Sequence, residues 1–475
     1  MGGIMAAQEH INLRERPNVI LVMCDDLGWG DVGFNGSSTI KTPNLDEMAG
    51  AGIIFSRFYS AAPVCSPTRA SCLTGRNPFR MGIYSANVGH MRSEEITLAE
   101  VLSKAGYSTG HFGKWHLGTL TTALNDANRG MPGDSSHLSR PTDHGYHEYF
   151  CTESKVPTWD PMLKPTSFQE ESGSSLRYGW PALLDGEKSE NYGTFYWSGP
   201  DQMELNNLRG DNSEVIMDRA IPFIERSVKR DQPFFTTIWL HTPHLPVVTH
   251  KAYRDLYPKH DLSEQLYYGC ISAMDEQIGR LWSTLQKLNV SEHTMLWFCS
   301  DNGPERQTPG SAGSLRARKR SLYEGGVRVP AFCLWPDNWS SGTADVPAVT
   351  SDYLPTILDI LQIEYPETDR PLDGITLRKL LDGKTKQRRS PIGFQSTGGK
   401  RSWVEDRYKL ISPEGENFEL YDLISDRTES NNIAAKHPAK VDSMKHALLK
   451  WIEDCTRSDQ GGDYEGEVVT PNLRH

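Results

Sequence analysis

The sequence predicts an α/β fold: a large, mostly parallel sheet sandwiched by helices, with a smaller C-terminal α+β domain carrying a short antiparallel sheet. Three observations point there. Strand-like runs rich in apolar and β-branched residues recur at 18–24, 234–240 and 294–299, and helical stretches separate them. Strand–helix alternation of this kind implies a parallel sheet covered on both faces. Near residue 365 the texture changes to shorter strands and one last amphipathic stretch, and 475 residues exceed what one ordinary core holds.

Taken in order, NVILVMC at 18–24 reads as a fully buried strand, and the TPNLDEMA segment at 42–49 opens a helix. The runs at 234–240 and 294–299 repeat the buried-strand pattern, and 263–288 between them has apolar residues near helical spacing. Residues 151–200 differ, with many Gly, Ser, Pro and aromatic residues and little periodicity, and read as a surface insertion. Residues 352–358 form a helix. Residues 401–411 and 418–421 read as antiparallel strands with a turn at Glu405 and Asp406, and 438–455 reads as one amphipathic helix. The expected division is a large domain over 17–365 and a smaller one over 366–475.

Composition narrows the function classes. With 37% hydrophobic and 23% charged residues the chain is globular, not disordered, and no apolar run approaches the roughly 20 residues a membrane span needs. A net charge of −11 argues against a nucleic-acid-binding surface over the whole molecule, although it permits a local basic pocket. The eight cysteines are scattered, with no CxxC pair and no disulfide framework; Cys24, Cys299 and Cys333 sit in strand-like runs as buried thiols. The polar residues 1–17 lack the apolar core of a signal peptide, so the expected location is cytoplasmic unless an export signal has been removed, which would make it periplasmic or secreted.

Five short motifs carry chemistry. In CSPTR at 65–69, Pro67 suits a first helical turn, which puts Cys65 at a helix N-terminus where anions are favoured and Arg69 one turn along the same face. Asp25 and Asp26 directly follow the first strand, and Asp301 and Asn302 follow another in the same way. Acids after strands are often only turn residues. Two strand ends of one parallel sheet supplying three carboxylates and an amide, however, make an all-oxygen cage for a hard cation, Ca2+ before Mg2+. Lys114 and His116 in GKWHLG are two apart and would point the same way in an extended segment. His241 and His244 follow the strand at 234–240, and the run from Arg316 to Arg320 is a basic cluster in an acidic protein.

These strings together resemble the formylglycine-dependent sulfatases of the alkaline phosphatase superfamily. CSPTR with LTG at 73–75 is similar to the signature that directs cysteine oxidation, and GKWHLG, SDNG, YEGG and LYDL follow in the family's order over nearly the whole chain. The likeness is greatest to the arylsulfatase and N-acetylgalactosamine-6-sulfatase branch. The resemblance implies an alkaline phosphatase-like fold, formylglycine at position 65, and a formylglycine-generating enzyme as maturation partner. It implies Ca2+ held by Asp25, Asp26, Asp301 and Asn302 and touched by residue 65. Arg69 and Lys114 would steady the aldehyde hydrate, and His116 would take a proton as sulfate leaves. Lys319 and His244 would bind sulfate, with His244 as acid toward the leaving alcohol. His241 is assigned a substrate-side or supporting role, and Arg318 is assigned to the substrate side. Alternatives are a phosphonate or phosphodiester hydrolase of the same superfamily and a catalytically silent glycan-binding protein.

The expected substrate is a carbohydrate sulfate, from a glycosaminoglycan or a marine polysaccharide. Aromatic faces stack on sugar rings. Trp159, Tyr178, Trp180, Tyr192, Phe195, Tyr196 and Trp197 in the 151–200 insertion are therefore expected to form one wall of the pocket.

Overall fold

A computed structural model describes residues 16–167, 173–367 and 370–464. The leaderless start read from residues 1–17 lies almost wholly outside the described residues. The main sheet contains β1 (Asn18–Cys24), β2 (Ile53–Phe55), β3 (Ser108–Lys114), β4 (Glu148–Thr152), β5 (Trp197–Gly199), β6 (Gln202–Met203), β7 (Phe234–Trp239), β8 (Thr294–Ser300), β9 (Ala331–Leu334) and β10 (Gly342–Ala344). Their order is β6-β5-β4-β3-β7-β1-β8-β9-β2-β10. The run β4-β3-β7-β1-β8 is parallel throughout, with antiparallel pairing at β4–β5, β5–β6, β8–β9 and β9–β2 and a parallel pair at β2–β10.

Alternation along β1 shows why the sequence makes a sandwich. Val19, Leu21 and Met23 enter one apolar core; Ile20, Val22 and Cys24 enter the other. Helices α2 (Cys65–Thr74), α3 (Leu98–Lys104) and α6 (Tyr353–Leu361) cover the first face. Helices α1 (Pro43–Ala51), α4 (Asn212–Lys229) and α5 (Leu262–Lys287) cover the second. Local signals set their starts: Asp211 caps α4, and Asp261 with Glu264 forms a capping box on α5. At Gly113, φ is +109° and an added Cβ would lie 1.9 Å from the Trp239 carbonyl oxygen, so only glycine lets β3 and β7 meet there.

Near the C-terminus, β11 (Ile392–Gln395), β12 (Arg401–Val404), β13 (Tyr408–Ser412) and β14 (Glu419–Asp422) form an antiparallel meander in chain order. Trp403, Leu410 and Leu420 face helix α7 (Pro438–Arg457) through Met444 and Leu448. Val404, Ile411 and Tyr421 face Tyr59, Leu322 and Val327 of the larger part. All eight cysteines are buried free thiols, and no helix among the described residues is long and apolar enough to cross a membrane.

The 151–200 stretch is less separate than its composition predicts. Cys151 and Thr152 finish β4, and Trp197 opens β5, so both ends are threaded into the main sheet.

Candidate active site

The strand ends converge. Asp25 and Asp26 leave β1, Asp301 and Asn302 leave β8, Lys114 ends β3, and His241 follows β7 one residue after Leu240. All sit at the C-terminal edge of the parallel strands, where open α/β sheets place their ligands. Cys65 is the first residue of α2, and its thiol lies 3.4 Å from Asp25 Oδ1. Gly303 lets the β8 loop pass close to the turn at Gly325, since a Cβ there would lie 2.0 Å from the Gly325 carbonyl oxygen.

A buried ionic lattice links these groups. Lys114 Nζ donates to Asp25 Oδ2 at 2.6 Å, and Arg69 Nη2 donates to Asp301 Oδ2 at 2.7 Å and stands 3.6 Å from Asp25 Oδ2. Lys319 Nζ donates to Asp26 Oδ1 at 2.5 Å, and Asn302 Nδ2 donates to the same oxygen at 2.7 Å. The Asp26 N–H donates to Asp301 Oδ1 at 3.2 Å. The four predicted oxygen ligands thus form one connected group.

Burial alone would raise Asp25 and Asp26. It is outweighed by Lys114, His244, Arg69 and Lys319 at Asp25, and by Lys319 and His244 at Asp26, so both carboxyls fall below their ordinary range. Asp301 goes the other way, to about 7, because burial and the charge of Asp25 exceed the help from Arg69. Burial, Asp25 and Asp301 also push the Cys65 thiol well up, so an unmodified cysteine here stays protonated.

Two buried oxygens in this lattice, Asp26 Oδ2 and Asn302 Oδ1, have no hydrogen-bond partner among the described residues. Ligand atoms of Asp25, Asp26, Cys65 and His244 all lie within 4.8 Å of one another. Orphaned buried acceptors beside clustered carboxylates are what a hard divalent cation requires, so the residues present fit such an ion.

Both predicted histidines of the reaction line one cavity of about 360 Å3 together with Cys65, Lys114 and Lys319. His116 reaches it through a left-handed backbone, φ +57°, and not by the simple alternation with Lys114 that an extended segment would give. Its Nε2 pairs with Asn87 Oδ1 at 2.8 Å, and its buried Nδ1 has no hydrogen-bond partner. Burial, Lys114 and Arg69 hold its pKa well below the usual imidazole value. His244 pairs through Nδ1 with the Leu245 carbonyl oxygen at 2.7 Å, which leaves Nε2 3.7 Å from Asp26 Oδ2. Burial takes His244 down to about 4, despite the opposing pull of Asp25 and Asp26.

Three expected groups lie off the cavity wall. Arg318 does not line the cavity: its guanidinium donates to the backbone carbonyls of Glu305, Thr308 and Gly310 and pins that loop. His241 is behind the cavity wall, 1% exposed, with Nε2 on Thr152 Oγ1 at 2.8 Å. None of the seven insertion aromatics faces the cavity. Tyr196 and Trp197 are core, with Tyr196 stacked on Phe150 at 4.2 Å. Trp159 stacks on His250, and Trp159 and Tyr192 pack on the buried Trp180. Apolar burial took Tyr196 and Trp197 into the cores, and Trp159, Tyr178, Tyr192 and Phe195 are half-buried away from this cavity.

The wall is made instead by residues without a sequence signal. Asn87, Asn128, Ser154 and Lys155 come from loops of the large domain, and Ser396, Thr397 and Lys400 come from the turn between β11 and β12. Only the Gly-Gly pair at 398–399 in that turn could have drawn attention, as a place where backbone comes close to something.

Clustered carboxylates, lysines and two histidines around one cavity at the head of a parallel sheet suit chemistry on an anionic group. The sulfatase family profile matches residues 17–363, and the profile named N-sulphoglucosamine sulphohydrolase, C-terminal, matches 317–457. The chain belongs to the sulfatase family, sulfuric ester hydrolases within the alkaline phosphatase superfamily. Human N-acetylgalactosamine-6-sulfatase is 32% identical over 398 residues, covering 78% of this chain and 67% of that protein. Human arylsulfatase A is 30% identical over 402 residues, covering 82% and 73%. The chain spans about two thirds of the length of the N-acetylgalactosamine-6-sulfatases it matches. Among solved structures, Ps i-CgsB in complex with k-i-k-neocarrahexaose aligns with a TM-score of 0.78 at 25% identity, over 94% of this chain and 97% of that one.

Proposed function

We propose that this protein hydrolyses a sulfate ester on a carbohydrate, with formylglycine at position 65 and one Ca2+ ion. The observation that carries the reading is the meeting, in one cavity, of residue 65 with Lys114, Lys319, His116 and His244. The sugar class rests on a relative named N-acetylgalactosamine-6-sulfatase and on the similar Ps i-CgsB, solved in complex with the oligosaccharide k-i-k-neocarrahexaose.

Sulfate monoesters resist hydrolysis because attack on sulfur meets negative oxygens and the alkoxide leaves badly. Hydrated formylglycine would supply a geminal diol, one hydroxyl to displace the alcohol and the other to release sulfate by C–O cleavage. Asp25, Asp26, Asp301 and Asn302 would hold the cation, which when bound polarises residue 65 and the sulfate. The chain's own cations do the rest: Lys114 and Lys319 face the sulfate oxygens, and Arg69, donating also to the Lys114 carbonyl oxygen at 3.2 Å, keeps Asp301 and Lys114 in place. His116, neutral and with one ring nitrogen unpaired, is suited to take the proton of the second hydroxyl. His244 must be protonated at Nε2 to serve as acid, although in the free protein its pKa is about 4. The negative charge of an incoming sulfate favours that protonated form.

Residue 65 is 1% exposed, so its oxidation by a formylglycine-generating enzyme must precede closure of the fold. The test is a panel of sulfated oligosaccharides, an aryl sulfate and an aryl phosphodiester. Hydrolysis of sulfated sugars is expected; cleavage of the phosphodiester alone would replace the reading with that of a phosphodiesterase.

A further inference from the structure

Of the described residues that line the cavity, five carry a lysine or arginine charge and none is acidic, in a protein of net charge −11. Three of the five are committed. Lys114 is paired with Asp25, Lys319 with Asp26, and Arg320 with Glu305 at 2.7 Å. The other two, Lys155 and Lys400, have no carboxylate partner among the described residues. Lys400 makes only a 3.4 Å contact to the Arg320 carbonyl oxygen. The acids beside them in sequence or space are turned elsewhere, Glu153 to Arg129 at 3.0 Å and Glu305 to Arg320.

Holding two uncompensated cations at one small cavity, beside three that are paired, is unfavourable unless an anion shares it. A single sulfate at residue 65 meets Lys114 and Lys319 and leaves Lys155 and Lys400 unanswered. We propose that Lys155 and Lys400 form a second anion-binding subsite in this cavity, so that the preferred substrate carries another anionic group, a sulfate or a carboxylate, near the ester that is cut. This inference rests on the carbohydrate sulfatase reading and specifies its substrate.

Further features agree. Lys155 is half-buried in the wall of the cavity that also holds Lys114 and Lys319, and burial together with those two charges holds its ammonium below the usual lysine range. Lys400 lies on the β11–β12 turn, and that turn also borders an adjoining cavity of about 620 Å3 lined by Phe79 and Tyr84. A substrate longer than one sugar can therefore continue past Lys400, over a surface with half-buried aromatic rings. One lysine comes from the large domain and the other from the small sheet, so recognition of the second anion would span both.

The experiment compares three disaccharides with the same scissile sulfate: one with no other charge, one with a second sulfate, and one with a uronic carboxylate. At low ionic strength the matured enzyme should favour at least one doubly anionic disaccharide by about tenfold in kcat/KM, chiefly through KM. Which of the two is favoured identifies the anion. Lys155→Gln and Lys400→Gln should each shrink that preference severalfold, and Lys400→Arg should keep most of it. Equal kcat/KM for all three, or an undiminished preference in both glutamine variants, would overturn the subsite and leave the sulfatase reading standing. Hydrolysis of an aryl sulfate but of none of the disaccharides would instead overturn the carbohydrate reading and the subsite together.

Discussion

Two groups of buried charge sit on either side of the 303–325 contact, and they are built from the same residue types. In the active chamber Arg69, Lys114 and Lys319 face Asp25, Asp26 and Asp301. At the seam with the small sheet, Lys409 lies 2.9 Å from both Glu324 and Glu429. Tyr59 donates to Glu324 Oε2 at 2.9 Å, and the Glu324 N–H donates to Glu429 Oε2 at 2.7 Å. The seam opens on no cavity: its carboxylates lie against Lys409 and Tyr59, although Glu429 Oε1, 2.9 Å from Lys409, makes no hydrogen bond among the described residues. The chamber has orphaned oxygens on Asp26 and Asn302 and opens on a cavity. Access to a cavity beside the orphaned oxygens, and not burial of charge as such, separates the cluster proposed to bind from the cluster at the seam with the small sheet.

The largest effect should break the comparison on the chamber side. Cys65→Ala should cut sulfatase turnover by about ten-thousand-fold or more, while the melting temperature stays close to that of the parent. Activity assays with a thermal melt on the same sample check both halves. Chelation comes next. Stripping divalent ions should abolish most turnover, and Ca2+ should restore it better than Mg2+; a melt with and without Ca2+ should show stabilisation that Asp26→Asn loses.

On the seam side the expected effect is on stability. Lys409→Met leaves Glu324 and Glu429 facing each other without their cation and should cost about 3 kcal/mol of unfolding free energy. Turnover per folded molecule should change little, which denaturant titration and an activity assay on folded protein would show. The smallest effect concerns pH. Burial and Glu324 raise Glu429 to about 7 against the help of Lys409. Between the ordinary glutamate value and about 7 the folded state therefore binds more protons than the unfolded one, so this group's contribution is present at lower pH and is lost as pH rises through about 7. Glu429→Gln should flatten that fall, read as melting temperature against pH.

The same contrast explains what could be read from sequence. The strands at 18–24, 234–239 and 294–300 and the helix at 262–287 declare themselves because periodicity and caps are local. Asp25, Asp26, Asp301 and Asn302 were legible for a related reason: strand ends are local features, and the sheet order brings those ends together. Arg318 and the insertion aromatics misled because type and neighbourhood do not say which way a side chain turns. Arg318 satisfies three loop carbonyls, and Tyr196 and Trp197 gain more by burial in the sheet's cores. Lys155 and Lys400 were illegible because their meaning lies in the partners they lack. That depends on where Glu153 and Glu305 point, and only the folded chain decides it.

The central claim is that residue 65 works as an aldehyde. Peptide mass spectrometry of an active preparation, made in a host with a formylglycine-generating enzyme, tests it most directly. The expected residue-65 peptide is lighter by the difference between a –CH2SH and a –CHO side chain, with specific activity proportional to the fraction converted. Full activity in protein whose residue 65 is entirely the unmodified thiol would contradict it.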